Sequence, residues 1–107
     1  MAVTRITVPD KVQPGQILEV QWLIAHPMET GHRSNDQGQV VPRDIISRFE
    51  CRYLGQTVIS LELFPAIAAN PYFAFTMVAE RSGDLEFVWT GDHGFEQREL
   101  RRLEVQT

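Results

Sequence analysis

The stretch "LEVQWLI" (residues 18–24) decides the fold. Leu18, Val20, Trp22 and Ile24 share one face of an extended chain, and Glu19 and Gln21 take the other. Successive side chains of a strand point to opposite faces, so a period of two marks a strand with one buried side. The same period recurs in both directions. Residues 3–8 read as a first short strand closed by Pro9. Pro14-Gly15 supplies a turn, the proline fixing φ and the glycine accepting a positive φ at the next position. Downstream, Ile45, Phe49, Cys51 and Tyr53 oppose Arg48, Glu50 and Arg52 in a second long strand. Leu54-Gly55-Gln56-Thr57 reads as a tight hairpin turn into residues 58–63. Phe73, Phe75, Met77 and Ala79 then alternate with Ala74, Thr76 and Val78, and Leu85, Phe87 and Trp89 with Asp84 and Glu86. Arg81-Ser82-Gly83 turns the chain, and Gly91-Asp92-His93-Gly94 turns it again into a final strand over residues 95–105. The phase of that last strand changes near residues 100–103, which predicts a bulge.

No window of 11 or more residues carries a helical period. Seven or so short strands, with turn signals about every ten residues, predict an all-β fold: one antiparallel immunoglobulin-like β-sandwich spanning residues 1–107. Trp22, Phe49, Phe73, Phe75, Phe87 and Trp89 are its expected aromatic core. The chain has 107 residues, and folding at that size hides roughly 65% of the unfolded surface, enough for one core. Cys51 is the only cysteine, so no internal disulfide can form. The formal net charge of −4 argues against a nucleic-acid partner, whose phosphates are repelled by an acidic surface. No apolar run approaches the length of a membrane span, and no membrane partner is expected. The first ten residues, MAVTRITVPD, hold no apolar signal segment, which predicts either a cytoplasmic chain or one exported on another polypeptide.

The most chemically tempting stretch is "AHPMETGHR" (residues 25–33). Zinc needs three or four converging ligands, usually on a helix at i and i+4 or on a strand at i and i+2. His26 and His32 are six apart with Pro27 and Gly31 between them, a spacing that fixes no shared geometry. Asp36 and His93 could complete such a site only through tertiary convergence. A small metal-binding or redox domain using His26, His32 and Cys51 stands as the alternative function. The plainer reading is a loop leaving a strand: Pro27 ends the ladder by lacking an N–H, and the region from 27 to 42 forms a long polar loop. Cys51 lies in phase with Phe49 and Tyr53 and is expected to point inward as a small hydrophobe. No nucleophile elbow, P-loop or dinucleotide fingerprint occurs, so neither a catalytic residue nor a cofactor or metal site is predicted. Asp84 and Glu86 on an outer strand face, and Arg98, Arg101 and Arg102 interleaved with Glu96, Glu99 and Glu104, read as solvated surface.

The connection "LFPAIAANPYF" (residues 63–73) is different, because it is apolar and carries no charge. Sandwich connections normally run over the surface and are polar. This one either tucks under a sheet or forms an exposed patch of the kind that marks a partner surface.

Three stretches together, "HPMETGHR" (26–33), "VPRDIISRF" (41–49) and "PAIAANPYF" (65–73), closely resemble the SoxZ family, subunits of the sulfur-oxidising Sox system. The likeness runs over nearly the whole chain, including "SGDLEFVW" (82–89). One departure is Phe64, where the family pattern leads us to expect a histidine. The resemblance implies an immunoglobulin-like sandwich that forms a heterodimer with SoxY. That partner carries sulfur intermediates on a cysteine in a glycine-rich C-terminal arm, and this chain, ending "RRLEVQT", has no such arm cysteine. The resemblance also implies a periplasmic location, export bound to a signal-bearing partner, and transient encounters with other Sox enzymes through the complex. It makes the chain a non-catalytic scaffold. His26, Pro27, Met28, Glu29, Phe64, Pro65, Ile67, Asn70 and Tyr72 are the expected partner-binding residues, either by holding a loop or by touching the partner. Deprived of that partner, such a sandwich is expected to form a homodimer through the same apolar surface.

Overall fold

The computed structural model of the protein describes residues 2–106. Eight strands follow in order: β1 (Thr4–Thr7), β2 (Lys11–Val12), β3 (Ile17–Ile24), β4 (Ile46–Tyr53), β5 (Gln56–Glu62), β6 (Tyr72–Val78), β7 (Gly83–Gly91) and β8 (Glu96–Val105). They form a narrow sheet of order β1-β3-β6 and a wide sheet of order β2-β8-β7-β4-β5. Every neighbouring pair is antiparallel except β2 with β8. The all-β sandwich expected from the alternation is present, and the strand beyond the seven is the two-residue β2. The turn expected at Gly91-Asp92-His93-Gly94 is present as a short 3-10 turn over Asp92–Gly94.

The period of two sets what is inside. Leu18, Val20, Trp22 and Ile24 of β3 are buried, facing Phe49, Cys51 and Tyr53 of β4 and Leu85, Phe87 and Trp89 of β7. Trp22 sits at the centre, 4.6 Å from the Phe49 ring and edge-on to Trp89 at 5.5 Å. Such offset and edge-to-face pairs add to the area they bury. Cys51 is fully buried, and burial pushes its thiol up to about 12. At neutral pH it therefore stays a protonated, inert filler. Phe73, expected in the core, is only half-buried, because it lies at the margin of the narrow sheet.

Two sheets of unequal width leave the wide one overhanging. The two overhangs differ in chemistry. Beside β1, the inward phase of β8 carries Gln97, Glu99 and Arg101, and Gln97 exchanges hydrogen bonds with the main chain of Ala2. Beside β6, the inward phase of β5 carries Ile59 and Leu61, both only half-covered.

The charged inner positions of β8 correct one expectation. The register of β8 against β7 runs unbroken from Glu96 to Leu103, so there is no bulge near residues 100–103. Apolar residues alone misread the phase there, since Leu100 points out at 57% exposure while Glu99 and Arg101 take the inner side. The irregularities lie instead on either flank of β4, between Ile46 and Arg48 against β7 and between Cys51 and Arg52 against β5.

Candidate partner-binding site

Strand direction gathers the three family-like stretches at one end of the sandwich. β3 ends where β6 begins, with Leu23 opposite Tyr72, and β4 begins where β7 ends, with Ile46 opposite Gly91. The connections 25–45, 63–71 and 92–95 therefore leave the same pole.

Main-chain and side-chain bonds lock these connections together. The His26 N–H donates to Asn70 Oδ1 at 3.0 Å, and the Asn70 N–H donates back to the His26 carbonyl at 2.8 Å. This reciprocal pair joins "HPMETGHR" to "PAIAANPYF" across 44 residues of chain. Asn70 adopts φ +55°, a left-handed conformation that asparagine tolerates better than most side chains. His26 is itself buried. Its Nδ1 accepts the Met28 N–H at 3.0 Å, which leaves the neutral ring's proton on Nε2, 3.6 Å from Asp44 Oδ1. The ring also stands edge-on to Phe95 at 5.3 Å.

Met28 is the plug beneath this layer. It is buried, with φ +51°, and its sulfur accepts the Ile46 N–H at 3.2 Å. Glu29 and Asp44 exchange both main-chain bonds at 2.8 Å, which pins the start of the long loop to the run into β4. Beyond them, Arg33 bonds the Glu29 carboxylate through Nε and Nη2 and holds its pKa below the ordinary value. The loop tip is a small turn in which Asn35 Oδ1 accepts the N–H groups of Gln37 and Gln39.

The 3-10 turn completes the pole. Asp92 accepts Arg43 Nε at 2.9 Å and Nη2 at 2.8 Å, and the Ile45 N–H at 3.1 Å. The Arg43 guanidinium, then the Ile45 N–H, holds the Asp92 carboxyl below the usual carboxylate range. His93 Nε2 lies 2.8 Å from the Arg43 carbonyl. Gly91 is required by close approach: a Cβ there would sit 2.3 Å from the Ile45 carbonyl oxygen.

On this scaffold rides an apolar rim. Phe64 and Tyr72 are each 58% exposed and Ile67 40%. Ile67, Pro71, Tyr72 and Phe73, with Trp22 and Leu61, line an open slot of about 170 Å³ at the β5–β6 overhang. A second groove runs on the other side of Tyr72, between Arg5, Gln21 and Leu23. The 63–73 connection is thus an exposed patch and does not tuck under a sheet.

The expected site residues divide accordingly. Pro27, Phe64, Ile67, Asn70 and Tyr72 are exposed, and Pro65 is partly so. His26 and Met28 are buried and hold the loop, while Glu29 is engaged with Arg33. Asp92, Gly91 and Phe95 complete the pole without a sequence signal beyond a turn, and Arg43, from the family-like stretch 41–49, joins them. The alternative metal or redox set does not converge: Cys51 lies inside the sandwich at mid-β4, and His32 is exposed in the loop. Among the described residues, no three His, Cys, Asp or Glu side chains are placed to hold a metal ion.

The family model for Sulphur oxidation protein SoxZ matches residues 6–100. The chain belongs to the SoxZ family. This SoxZ-family chain accordingly takes its place in the Sox sulfur-oxidation system. No curated relative matches it significantly. Among solved structures, the sulfur carrier protein SoxY from Chlorobium limicola f thiosulfatophilum is similar with a TM-score of 0.68 at 16% identity, covering 97% of this chain and 79% of that one. A superoxide reductase (neelaredoxin) from Ignicoccus hospitalis aligns with a TM-score of 0.70 at 18% identity, covering 96% and 79%. A putative superoxide reductase from Thermotoga maritima reaches 0.73 at 13% identity, covering 97% and 86%. At these identities the likeness is one of fold.

Proposed function

We propose that this SoxZ-family chain is the non-catalytic subunit that pairs with SoxY, whose arm cysteine carries the sulfur intermediates of thiosulfate oxidation. It works in the periplasm, reaches that compartment bound to its signal-bearing partner, and meets other Sox enzymes through the complex. The observation that supports this reading is the apolar rim of Phe64, Ile67 and Tyr72, raised on loops that are bonded to one another rather than left free. Exposed apolar patches on small domains mark partner surfaces. A rim already fixed by the His26–Asn70 pair loses little conformational entropy on docking. The chain's own thiol is buried and its pKa is pushed up, which supports placing the sulfur cargo on the partner.

Co-expression with a SoxY subunit, followed by size-exclusion chromatography and intact mass measurement, tests the reading. A stable one-to-one complex with sulfur adducts only on SoxY is the expected result. Separate elution of the two chains under both oxidising and reducing conditions contradicts it.

A further inference from the structure

Four strand edges are open in the sandwich: β1 and β6 in the narrow sheet, β2 and β5 in the wide one. Natural edges are blunted against edge-to-edge pairing by shortness, charge, proline or bulges. Three of these four are. β2 has two residues, one of them Lys11, and β1 has four, with Arg5 among them. β5 carries the extra residue Val58 between the pairs Cys51–Ile59 and Arg52–Thr57, and it ends on Glu62. β6 has none of these devices. Its seven residues, YFAFTMV, include no charge and no proline, and its register against β3 is unbroken.

The free groups on that edge can be named. The Ala79 N–H donates to the Gln16 carbonyl, and the Pro71 carbonyl accepts the Ile24 N–H. Main-chain groups alternate sides along a strand, so the odd-numbered residues bond β3 and the even-numbered ones point away. The N–H and C=O groups of Tyr72, Ala74, Thr76 and Val78 therefore line the open edge, and no strand among the described residues pairs with them.

We propose that a second copy of this chain docks on the β6 edge, antiparallel, about a two-fold axis at Phe75. In this register Tyr72 faces Val78 of the other copy and Ala74 faces its Thr76. Each pair exchanges both main-chain bonds, which uses every free donor and acceptor of both edges. The side chains match as well. An aromatic ring lies beside a β-branched residue on the outer face, and Phe73 lies beside Met77 on the inner one. Charge permits the pairing despite the net −4 of each chain. No charged residue lies between 72 and 78, and the first one beyond, Glu80, falls opposite the neutral Asn70 of the other copy. The contact is isologous, so it closes at two copies and the edge is consumed. This inference concerns the isolated chain and does not depend on pairing with SoxY.

Size-exclusion chromatography with light scattering on the full chain alone tests it, together with hydrogen exchange at several concentrations. The expected species has twice the chain mass, and protection of the amides of Tyr72, Ala74, Thr76 and Val78 rises with concentration. The double variant Ala74→Lys, Thr76→Lys sets lysines opposite lysines and is expected to be monomeric while keeping the circular dichroism spectrum of the folded chain. The double variant Ala74→Glu, Thr76→Glu behaves alike, and an equimolar mixture of the two regains the dimer. A wild-type chain that stays monomeric up to its solubility limit overturns the proposal. So does a dimer in which those four amides show no concentration-dependent protection, or one that the charged variants leave intact.

Discussion

The two ends of the sandwich are built by different means. At the end away from the apolar rim, the connections are tight turns. Leu54 and Gly55 take φ +54° and +76° in a two-residue hairpin loop, and Pro14-Gly15 turns the chain into β3. Tyr53 and Ser82 steady that end: the Tyr53 hydroxyl donates to the Arg81 carbonyl and accepts the N–H groups of Glu80 and Arg81, and the Ser82 hydroxyl accepts the Val105 N–H at 2.8 Å. At the rim end, the connections are long, and they are held by bonds spanning up to 50 residues of sequence. A short turn obeys local rules and can bear little on its surface. A long, cross-bonded set of loops can present a shaped surface, and it is there that Phe64, Ile67 and Tyr72 cluster, whereas the exposed Ile17 and Val78 of the other end lie flat on strands.

If the rim is rigid because of its layered supports, removing them one by one should loosen that end and leave the other intact. The largest effect is expected at Gly91. Gly91→Val places a branched side chain where even a Cβ would meet the Ile45 carbonyl oxygen at 2.3 Å. A loss of at least about 4 kcal/mol is expected in denaturant unfolding, in the range reached only by severe clashes. Met28→Ala follows, at about 3 kcal/mol, because it opens a cavity under the loop and leaves the Ile46 N–H without its acceptor.

The two ends can then be set directly against each other. Asn70→Ala and Tyr53→Phe each leave main-chain N–H groups unpaired, and each is expected to cost about 1–2 kcal/mol. Hydrogen exchange should separate them. The alanine variant speeds exchange around residues 26–28 and 66–70, and the phenylalanine variant around residues 79–82. If both variants loosened both ends, the division into two independently held ends would be wrong.

A smaller effect comes from pH. Hydrogen bonds from Arg43, then from the Ile45 N–H, hold the Asp92 carboxyl below the ordinary carboxylate value of about 4. A group with a depressed folded pKa stabilises fully above its unfolded value, and that contribution is lost as pH falls through the folded one. Wild type should therefore melt above Asp92→Asn at neutral pH, and the gap should close as pH drops below about 4. A gap that stays constant into acid would mean the carboxylate charge is not what ties the turn to the run into β4.

The same contrast explains what was legible in the sequence. The alternation at Leu18, Val20, Trp22 and Ile24 revealed the strand and its buried side, because period-two burial is a local pattern. The hairpin at Leu54-Gly55 was legible for the same reason. The phase of β8 was not, since Glu99 and Arg101 occupy inward positions only where the narrow sheet falls short. Of the site, the apolar connection could be read from its lack of charge, and the strands' order then decided that it is exposed. The roles of His26 and Met28 could not be read, because a histidine that accepts an N–H two residues on looks the same in sequence as a ligand. Asp92 and Gly91 looked like ordinary turn residues, and their partners lie more than 40 positions away.

The central claim is that the rim, and not exposed apolar surface in general, receives the partner. Ile67 at 40% exposure on the rim and Leu100 at 57% on the outer face of the wide sheet form a matched pair for testing it. Leu100 sits among Glu86, Arg98 and Arg102, on a face crossed by ion pairs. The measurement is the affinity of the co-expressed SoxY subunit for Ile67→Asp and for Leu100→Asp, each shown by circular dichroism to be folded. The account predicts that Ile67→Asp abolishes capture and that Leu100→Asp binds as wild type does. Equal binding by the two variants would contradict it.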